Sequence, residues 1–193
     1  LADQGRAVAE IEQPRLVVDE NSQRSAQQQF NLDADTAPVL GLCPGAEYGP
    51  AKRWPPAYFA EVAKAKIASG WQVWLFGSAK DRQITEEINR LTGNRCSDLA
   101  GVTTLAQACD LMALTSAVVT NDSGLMHVAA ALDRPLYCLF GSSDPKFTPP
   151  LSATATIFYL GLDCSPCFKR ECPLSHLDCL NQLLPERVVA ALP

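Results

Sequence analysis

Residues 117–132 read AVVTNDSGLMHVAAAL, an apolar run of strand length joined by a short polar turn to a run of helical composition. The first run predicts a buried strand at residues 117–120, and the second predicts a helix at residues 124–132. Asp122 or Ser123, in the turn, is expected to cap that helix. A strand, a tight turn and a helix in this order form the repeating unit of a parallel sheet covered by helices.

The same alternation extends to both sides of this unit. Short apolar runs and amphipathic stretches follow one another without internal repeats, which predicts an α/β fold, a Rossmann-like doubly wound parallel sheet. Further strands are expected at residues 39–43, 72–76, 135–140 and 156–160, and further helices at residues 55–69, 81–91, 104–114 and 185–192.

The first 37 residues differ from the rest in being polar and rich in Gln. We interpret residues 1–37 as an interdomain linker that contains a short strand at residues 16–18 and a helix at residues 22–30. Residues 38–193 are expected to form one domain, since this length suits a single core. The chain begins with Leu1 rather than Met, so we expect it to be part of a longer protein.

Composition excludes several classes of function. The formal net charge of -5 argues against a nucleic-acid partner, which normally meets a basic surface, but leaves a small anionic ligand open. No apolar run approaches the ~20 residues that cross a bilayer, and the polar start lacks the order of a signal peptide. A cytoplasmic location is therefore expected.

Ligands of open parallel sheets bind beyond the carboxyl ends of the strands, so the residues after each strand are the candidates for a site. The loop after the first strand, residues 44–55, contains Gly45 for close backbone approach and the adjacent cations Lys52 and Arg53, which suit a phosphate. The alternative, favoured by composition alone, is that both cations are solvated and Trp54 is a packing anchor.

The turns after two other strands offer further candidates. Asp122, Ser123 and Gly124 open a helix whose free N–H groups and partial positive charge suit a diphosphate, although a well-capped helix is the simpler explanation. His127 is either a buried histidine or part of this site. Asp81, after the second strand, is a ribose partner or a helix cap. No dinucleotide-binding or P-loop glycine motif is present, which disfavours both of those classes.

Three segments, residues 41–55, 99–101 and 119–132, resemble the ADP-heptose:lipopolysaccharide heptosyltransferases of glycosyltransferase family 9, and the resemblance runs from about residue 38 to the end. It implies a GT-B enzyme with two facing Rossmann-like domains. The C-terminal domain of such an enzyme holds the ADP-sugar, and the N-terminal domain holds the acceptor and the catalytic Asp. We expect this chain to be the C-terminal half, with the N-terminal domain and the general base outside it.

The resemblance implies an inverting, metal-independent transfer of L-glycero-D-manno-heptose from ADP-heptose to the inner core of lipopolysaccharide, with no cofactor besides the donor. Peripheral contact with the inner membrane is left open. Lys52 would neutralise the diphosphate and the charge on the leaving group, and Asp122 would take sugar hydroxyls. The Ser123 and Gly124 amides would donate to phosphate oxygens, and His127 would either hold the loop at residues 121–124 or contact the phosphate. Asp81 would bind the ribose, and Gly45 would lie beside the donor.

Eight cysteines are present, and they fall into two groups. Those scattered among apolar residues are expected to be small core residues: Cys43, Cys96, Cys109 and Cys138. The others cluster around His176 with a spacing that suits a tetrahedral zinc site: Cys164, Cys167, Cys172 and Cys179. The family is not defined by a metal, so we expect no metal, and reduced core thiols or a disulfide formed after purification are favoured over zinc.

Two other functions remain as alternatives. One is a non-catalytic nucleotide-binding or zinc-stapled interaction module, which is favoured if the natural gene product ends after 193 residues. The other is a GT-B enzyme that uses a different nucleotide sugar, such as a UDP-linked donor. A preference for ADP over UDP in binding separates the second alternative from the heptosyltransferase.

Overall fold

The structure is a computed structural model that describes residues 13–193. The polar start that argued against a signal peptide, and the first part of the predicted linker, lie outside the described residues. Among the helices between residues 13 and 193, none combines the length and apolar character needed to cross a membrane.

The described part alternates strands and helices as expected. The strands are β1 (Val39–Cys43), β2 (Gln72–Leu75), β3 (Ser97–Asp98), β4 (Ala117–Asn121), β5 (Leu136–Phe140) and β6 (Ala155–Tyr159). The helices are α1 (Glu20–Gln29), α2 (Pro56–Ala68), α3 (Arg82–Leu91), α4 (Leu105–Met112), α5 (Gly124–Ala131), α6 (Asp178–Asn181) and α7 (Pro185–Ala191), with 3₁₀ turns at Pro50–Lys52 and Ala79–Asp81.

The strands form one parallel sheet in the order β3-β2-β1-β4-β5-β6. The chain adds strands to one side of β1 and then crosses to the other side, so β1 and β4 flank the point where the order reverses. Cys43 pairs in register with Thr120, which places the loop after β1 directly beside the turn after β4. The predicted doubly wound α/β sheet is confirmed.

Helices cover both faces of the sheet. Leu40 and Leu42 pack with α2, α3 and α7, whereas Val39 and Cys43 pack with α1, α4 and α5. Successive side chains of a strand point to opposite faces, so a strand covered on both sides is apolar throughout rather than alternating. Every residue of β1 is accordingly buried. The loops at the carboxyl edge of the sheet are left to form a site.

The linker prediction needs one correction. The helix is confirmed as α1, but residues 16–18 belong to no strand; the Leu16 N–H instead donates to Ala131 O at 2.8 Å. Helix α1 packs on α4, where Gln23 Nε2 donates to Asp110 O at 3.2 Å. The boundary at residue 38 stays a prediction. Strand β3 escaped prediction because two half-buried polar residues carry no apolar pattern.

Candidate functional site

The loop after β1 is held at both ends by Asn121, the last residue of β4. Asn121 Nδ2 donates to Pro44 O at 2.6 Å, and Asn121 Oδ1 accepts from the Trp54 N–H at 3.1 Å. Trp54 is fully buried, and its indole N–H donates to Leu183 O at 2.8 Å, so it is the packing anchor that composition suggested. The sequence analysis missed Asn121, although a polar amide at the end of a buried apolar strand indicates a side chain that forms hydrogen bonds.

Lys52 lies against Asp122, with 2.5 Å between Nζ and Oδ2. The Lys52 side chain is 15% exposed and that of Asp122 is 5% exposed, so the prediction of a solvated Lys52 is wrong. Arg53 is also engaged, since its guanidinium donates to Ala46 O. The loop after β1 therefore delivers one cation to the turn after β4, where the strand order reverses.

Two residues after β5 complete the environment of Asp122. Ser143 Oγ donates to Asp122 Oδ2 at 2.5 Å, and Thr148 Oγ1 lies 3.4 Å from the same oxygen. Lys52 contacts this oxygen too, so three groups surround Oδ2, and the acceptance of sugar hydroxyls by Asp122 stays a prediction. A buried carboxylate needs such donors because it has lost its water. Applying the strand-end rule to β5 would have identified Ser143.

Helix α5 begins at the same turn, with Ser123 rather than Asp122 as its N-cap. The Ser123 backbone is extended, but its side chain makes no capping hydrogen bond. The first N–H groups of α5 therefore remain available, and the helix dipole adds partial positive charge to them. This arrangement is suited to an anion at Ser123 and Gly124, and its use as a donor site stays a prediction.

A cavity of about 530 Å³ opens in front of α5, a volume within the range of small-molecule sites. It lies between the loops after β1 and β2, the start of α4 and the start of α5, and is mainly apolar toward α4. Its lining comprises Gly45, Ala46, Glu47, Gly77, Ser78, Asp81, Thr103, Thr104, Leu105, Ala108, Ser123, Gly124, Leu125 and Val128.

Asp81 and Gly45 meet at the wall of this cavity. Asp81 Oδ2 accepts from Ser78 N at 2.9 Å and from Ser78 Oγ at 2.8 Å, so the carboxylate closes a capping box, as the simpler explanation required. A Cβ on Gly45 would lie 2.4 Å from Asp81 Oδ1. Gly45 therefore makes room for Asp81, in addition to bringing backbone to the cavity.

The remaining candidates lie elsewhere. His127 is exposed on α5 and is not part of the cavity lining, so neither prediction for it, a buried histidine or a contact with this site, is confirmed. At the rim, Lys80 Nζ lies 2.6 Å from Glu47 Oε1, and both side chains are exposed. The hydrogen bond and charge of Lys80 lower the pKa of Glu47. The structure thus joins Lys52 to Asp122, and gathers Gly45, Asp81, Ser123 and Gly124 around the adjoining cavity.

The cysteines divide as predicted. Cys43, Cys96 and Cys138 are buried and Cys109 is half-buried. Burial raises the pKa of Cys138 to about 12, as expected for an inert core thiol. The C-terminal four line a second, much smaller cavity together with His176. No three His, Cys, Asp or Glu side chains between residues 13 and 193 form a preformed metal site. The expectation of no metal, with zinc as the less favoured alternative, stays a prediction.

Fold and site together define a class. A parallel sheet whose order reverses at β1, with a cavity and a helix N-terminus at that point, is a Rossmann-like domain. Residues 6–178 match the model of glycosyltransferase family 9 (heptosyltransferase). The chain belongs to this family.

Individual relatives agree with this assignment. The chain is 46% identical over 183 residues to lipopolysaccharide heptosyltransferase 2 of Salmonella typhimurium, covering 93% of this chain and 52% of that protein. It is 54% identical over 127 residues to lipooligosaccharide heptosyltransferase 2 of Haemophilus influenzae, covering 64% and 37%. The solved structure of E. coli ADP-heptose LPS heptosyltransferase II matches with a TM-score of 0.72 and 45% identity, covering 92% and 56%. The chain spans about half the length of these relatives.

Proposed function

We propose that this chain is the donor-binding half of a heptosyltransferase that transfers L-glycero-D-manno-heptose from ADP-heptose to the inner core of lipopolysaccharide. The observation that carries the proposal is the cavity of about 530 Å³ at the reversal of strand order, with the uncapped start of α5 at its wall. The names of the relatives supply the sugar and the acceptor. The transfer would take place at the cytoplasmic face of the inner membrane, because the acceptor is attached to a lipid.

The proposed chemistry assigns the diphosphate to α5 and Lys52. Breaking the bond between the anomeric carbon and the phosphate oxygen places growing negative charge on ADP. Donors that are already oriented stabilise this charge more in the transition state than in the bound substrate. The Ser123 and Gly124 amides and the Lys52 ammonium are such donors, so the proposal needs no metal ion. Asp122 holds the ammonium in place through the 2.5 Å contact.

The nucleoside would occupy the part of the cavity between α4 and α5. Leu105, Ala108 and Val128 offer an apolar surface for a base, and Asp81 also lines the cavity, where it would accept ribose hydroxyls. The acceptor hydroxyl would attack the anomeric carbon from the side opposite ADP, which inverts the configuration. The Asp that removes its proton would belong to the N-terminal domain and is assigned to no residue here.

Calorimetric titration with ADP and with UDP tests this proposal. We expect ADP to bind more tightly than UDP, and Lys52→Met to weaken ADP binding by about 10- to 100-fold, since a hydrogen bond to a charged group contributes ~1.5–3 kcal/mol. Lys80→Met is the matched control, because Lys80 is a cation at the cavity rim that pairs with Glu47. Its effect should stay within about twofold.

Three outcomes would contradict the proposal. If UDP binds as tightly as ADP, the proposal of an ADP-linked donor is wrong. If Lys52→Met and Lys80→Met weaken ADP binding equally, Lys52 has no specific role in binding the diphosphate. Failure of the folded chain to bind either nucleotide would show that this half alone does not form the donor site.

A further inference from the structure

The C-terminal cysteines converge on one point, although they are spread over residues 164–179. Cys164, Cys167, Cys172 and Cys179 line a cavity of about 20 Å³, which is distinct from the donor cavity. This volume holds one sphere the size of a water molecule, so it suits a single ion and excludes an organic ligand. Sulfur ligands select soft cations such as Zn²⁺ over Mg²⁺ or Ca²⁺.

One buried polar group at this cavity lacks a partner. Ser142 lines it and is 1% exposed, yet its hydroxyl has no hydrogen-bond partner among the described residues. The loop after Cys172 is bent by positive φ angles at Ser175 and Leu177, and Leu177 lines the same cavity. The thiolate is the form of cysteine that binds metals, and a buried hydroxyl with no other partner is able to donate to it.

We propose that the thiolates of Cys164, Cys167, Cys172 and Cys179 bind one tetrahedral, thiophilic divalent cation of the zinc type. His176 is not assigned as a ligand, because its Nδ1 already accepts the Asp178 N–H at 2.9 Å. The described side chains form no preformed ligand set, so the thiols turn toward the centre of the cavity when the cation binds. Four protein ligands leave no open position for substrate, which makes the site structural rather than catalytic.

The site would stabilise the loop that carries Lys52. The cysteine-bearing segment contacts this loop directly: the Ala51 N–H donates to Arg170 O at 3.0 Å, and Tyr48 Oη donates to Phe168 O at 2.7 Å. Ala51 itself lines the cysteine cavity. A Cβ on Gly49 would lie 2.5 Å from Arg170 O, which shows how closely the two backbones approach. A cation that joins the four thiolates would fix this segment, and with it the backbone beside Lys52.

The metal content of the purified chain, measured by mass spectrometry of the elements, tests the proposal without reference to nucleotide binding. We expect about one equivalent of zinc per chain, as four thiolates around one cation require. X-ray absorption should show sulfur scatterers alone, at ~2.3 Å for zinc. Cys172→Ser should lose most of the metal. Cys109→Ser, which alters a half-buried thiol on α4 outside the cluster, should keep it.

A chelator-treated chain titrated with Co²⁺ provides a second readout that does not depend on a folded variant. One equivalent of Co²⁺ with the absorption of a tetrahedral thiolate complex is expected. The proposal is overturned if the reduced chain contains no stoichiometric metal and takes up no Co²⁺. It is also overturned if peptide mapping finds a disulfide among these four cysteines, or if the scatterers include nitrogen or oxygen. None of these results bears on whether the chain binds ADP.

Discussion

The pairing of Lys52 with Asp122 leads to a quantitative prediction for stability. Both side chains are largely buried, at 15% and 5% exposure, and Nζ lies 2.5 Å from Oδ2. Removing one partner of a buried ion pair leaves the other charge buried without a partner, which lowers the free energy of unfolding by ~3–5 kcal/mol when water is fully excluded. Lys52 keeps some access to solvent, so we expect Asp122→Ala to lower the free energy of unfolding by about 3 kcal/mol.

The reciprocal change and the double variant isolate the pair. Lys52→Met leaves the Asp122 carboxylate with Ser143 and Thr148 as donors, which reduces the expected loss to about 2 kcal/mol. The variant with both changes has no buried charge without a partner at this position. We therefore expect it to lose about 3 kcal/mol of unfolding free energy, rather than the sum of the two single losses, ~5 kcal/mol. The difference is a coupling energy of ~2 kcal/mol between the two side chains.

Urea unfolding of the four proteins at neutral pH measures these values. The matched control is Arg82→Ala, which breaks the exposed pair with Glu86, where the side chains are 55% and 62% exposed. This control should change stability by less than about 0.5 kcal/mol. Additive losses in the double variant, or single losses as small as that of the control, would refute the argument that burial makes this ion pair strong.

Three further predictions follow from single contacts. Gly45→Ala should lower the unfolding free energy by ~1–3 kcal/mol, because its Cβ would lie 2.4 Å from Asp81 Oδ1. In the same urea assay, Gly45→Ala should cost much less when it is added to Asp81→Ala, which removes the clash, than when it is added to the wild type. Asn121→Ala should cost ~2–4 kcal/mol in thermal unfolding, since it leaves the Pro44 carbonyl and the Trp54 N–H without their buried partner; an unchanged melting temperature would contradict this. Burial raises the pKa of both Cys43 and Cys138, the latter to about 12, so neither thiol is appreciably ionised at about pH 8. Mass spectrometry should therefore find both cysteines unmodified after iodoacetamide treatment of the folded chain, and both alkylated after the same treatment in urea.

The order of strands and helices could be predicted because each apolar run stands between clear signals. Strands β1 and β5 are short apolar runs beside Pro, Gly or turn residues, and α2 starts at Pro56 and ends just before Gly70. Such signals are local, so they are visible in the sequence. Strand β3 was missed because it exists through its pairing with β2, and Ser97 and Asp98 show no pattern of their own.

For the site, the rule about strand ends located the loops but not the partners of each side chain. Lys52 and Asp122 were singled out separately, 70 residues apart, and their ion pair was not anticipated. His127 was included because it is near Asp122 along the chain, yet the helical turn carries it to an exposed face of α5. Proximity in sequence is a poor guide here, because consecutive residues of a helix point in different directions.

The sequence by itself determined the succession of elements, the α/β class, the glycines and cations of the loops, and the family. These properties depend on hydrophobic periodicity, on turn chemistry and on motifs confined to adjacent residues. The tertiary structure decided which of these residues meet: Asn121 with both ends of the loop after β1, Ser143 with Asp122, and Lys52 with Asp122. These contacts arise from the order in which parallel strands pair, and that order is set by the burial of both sheet faces over the whole chain.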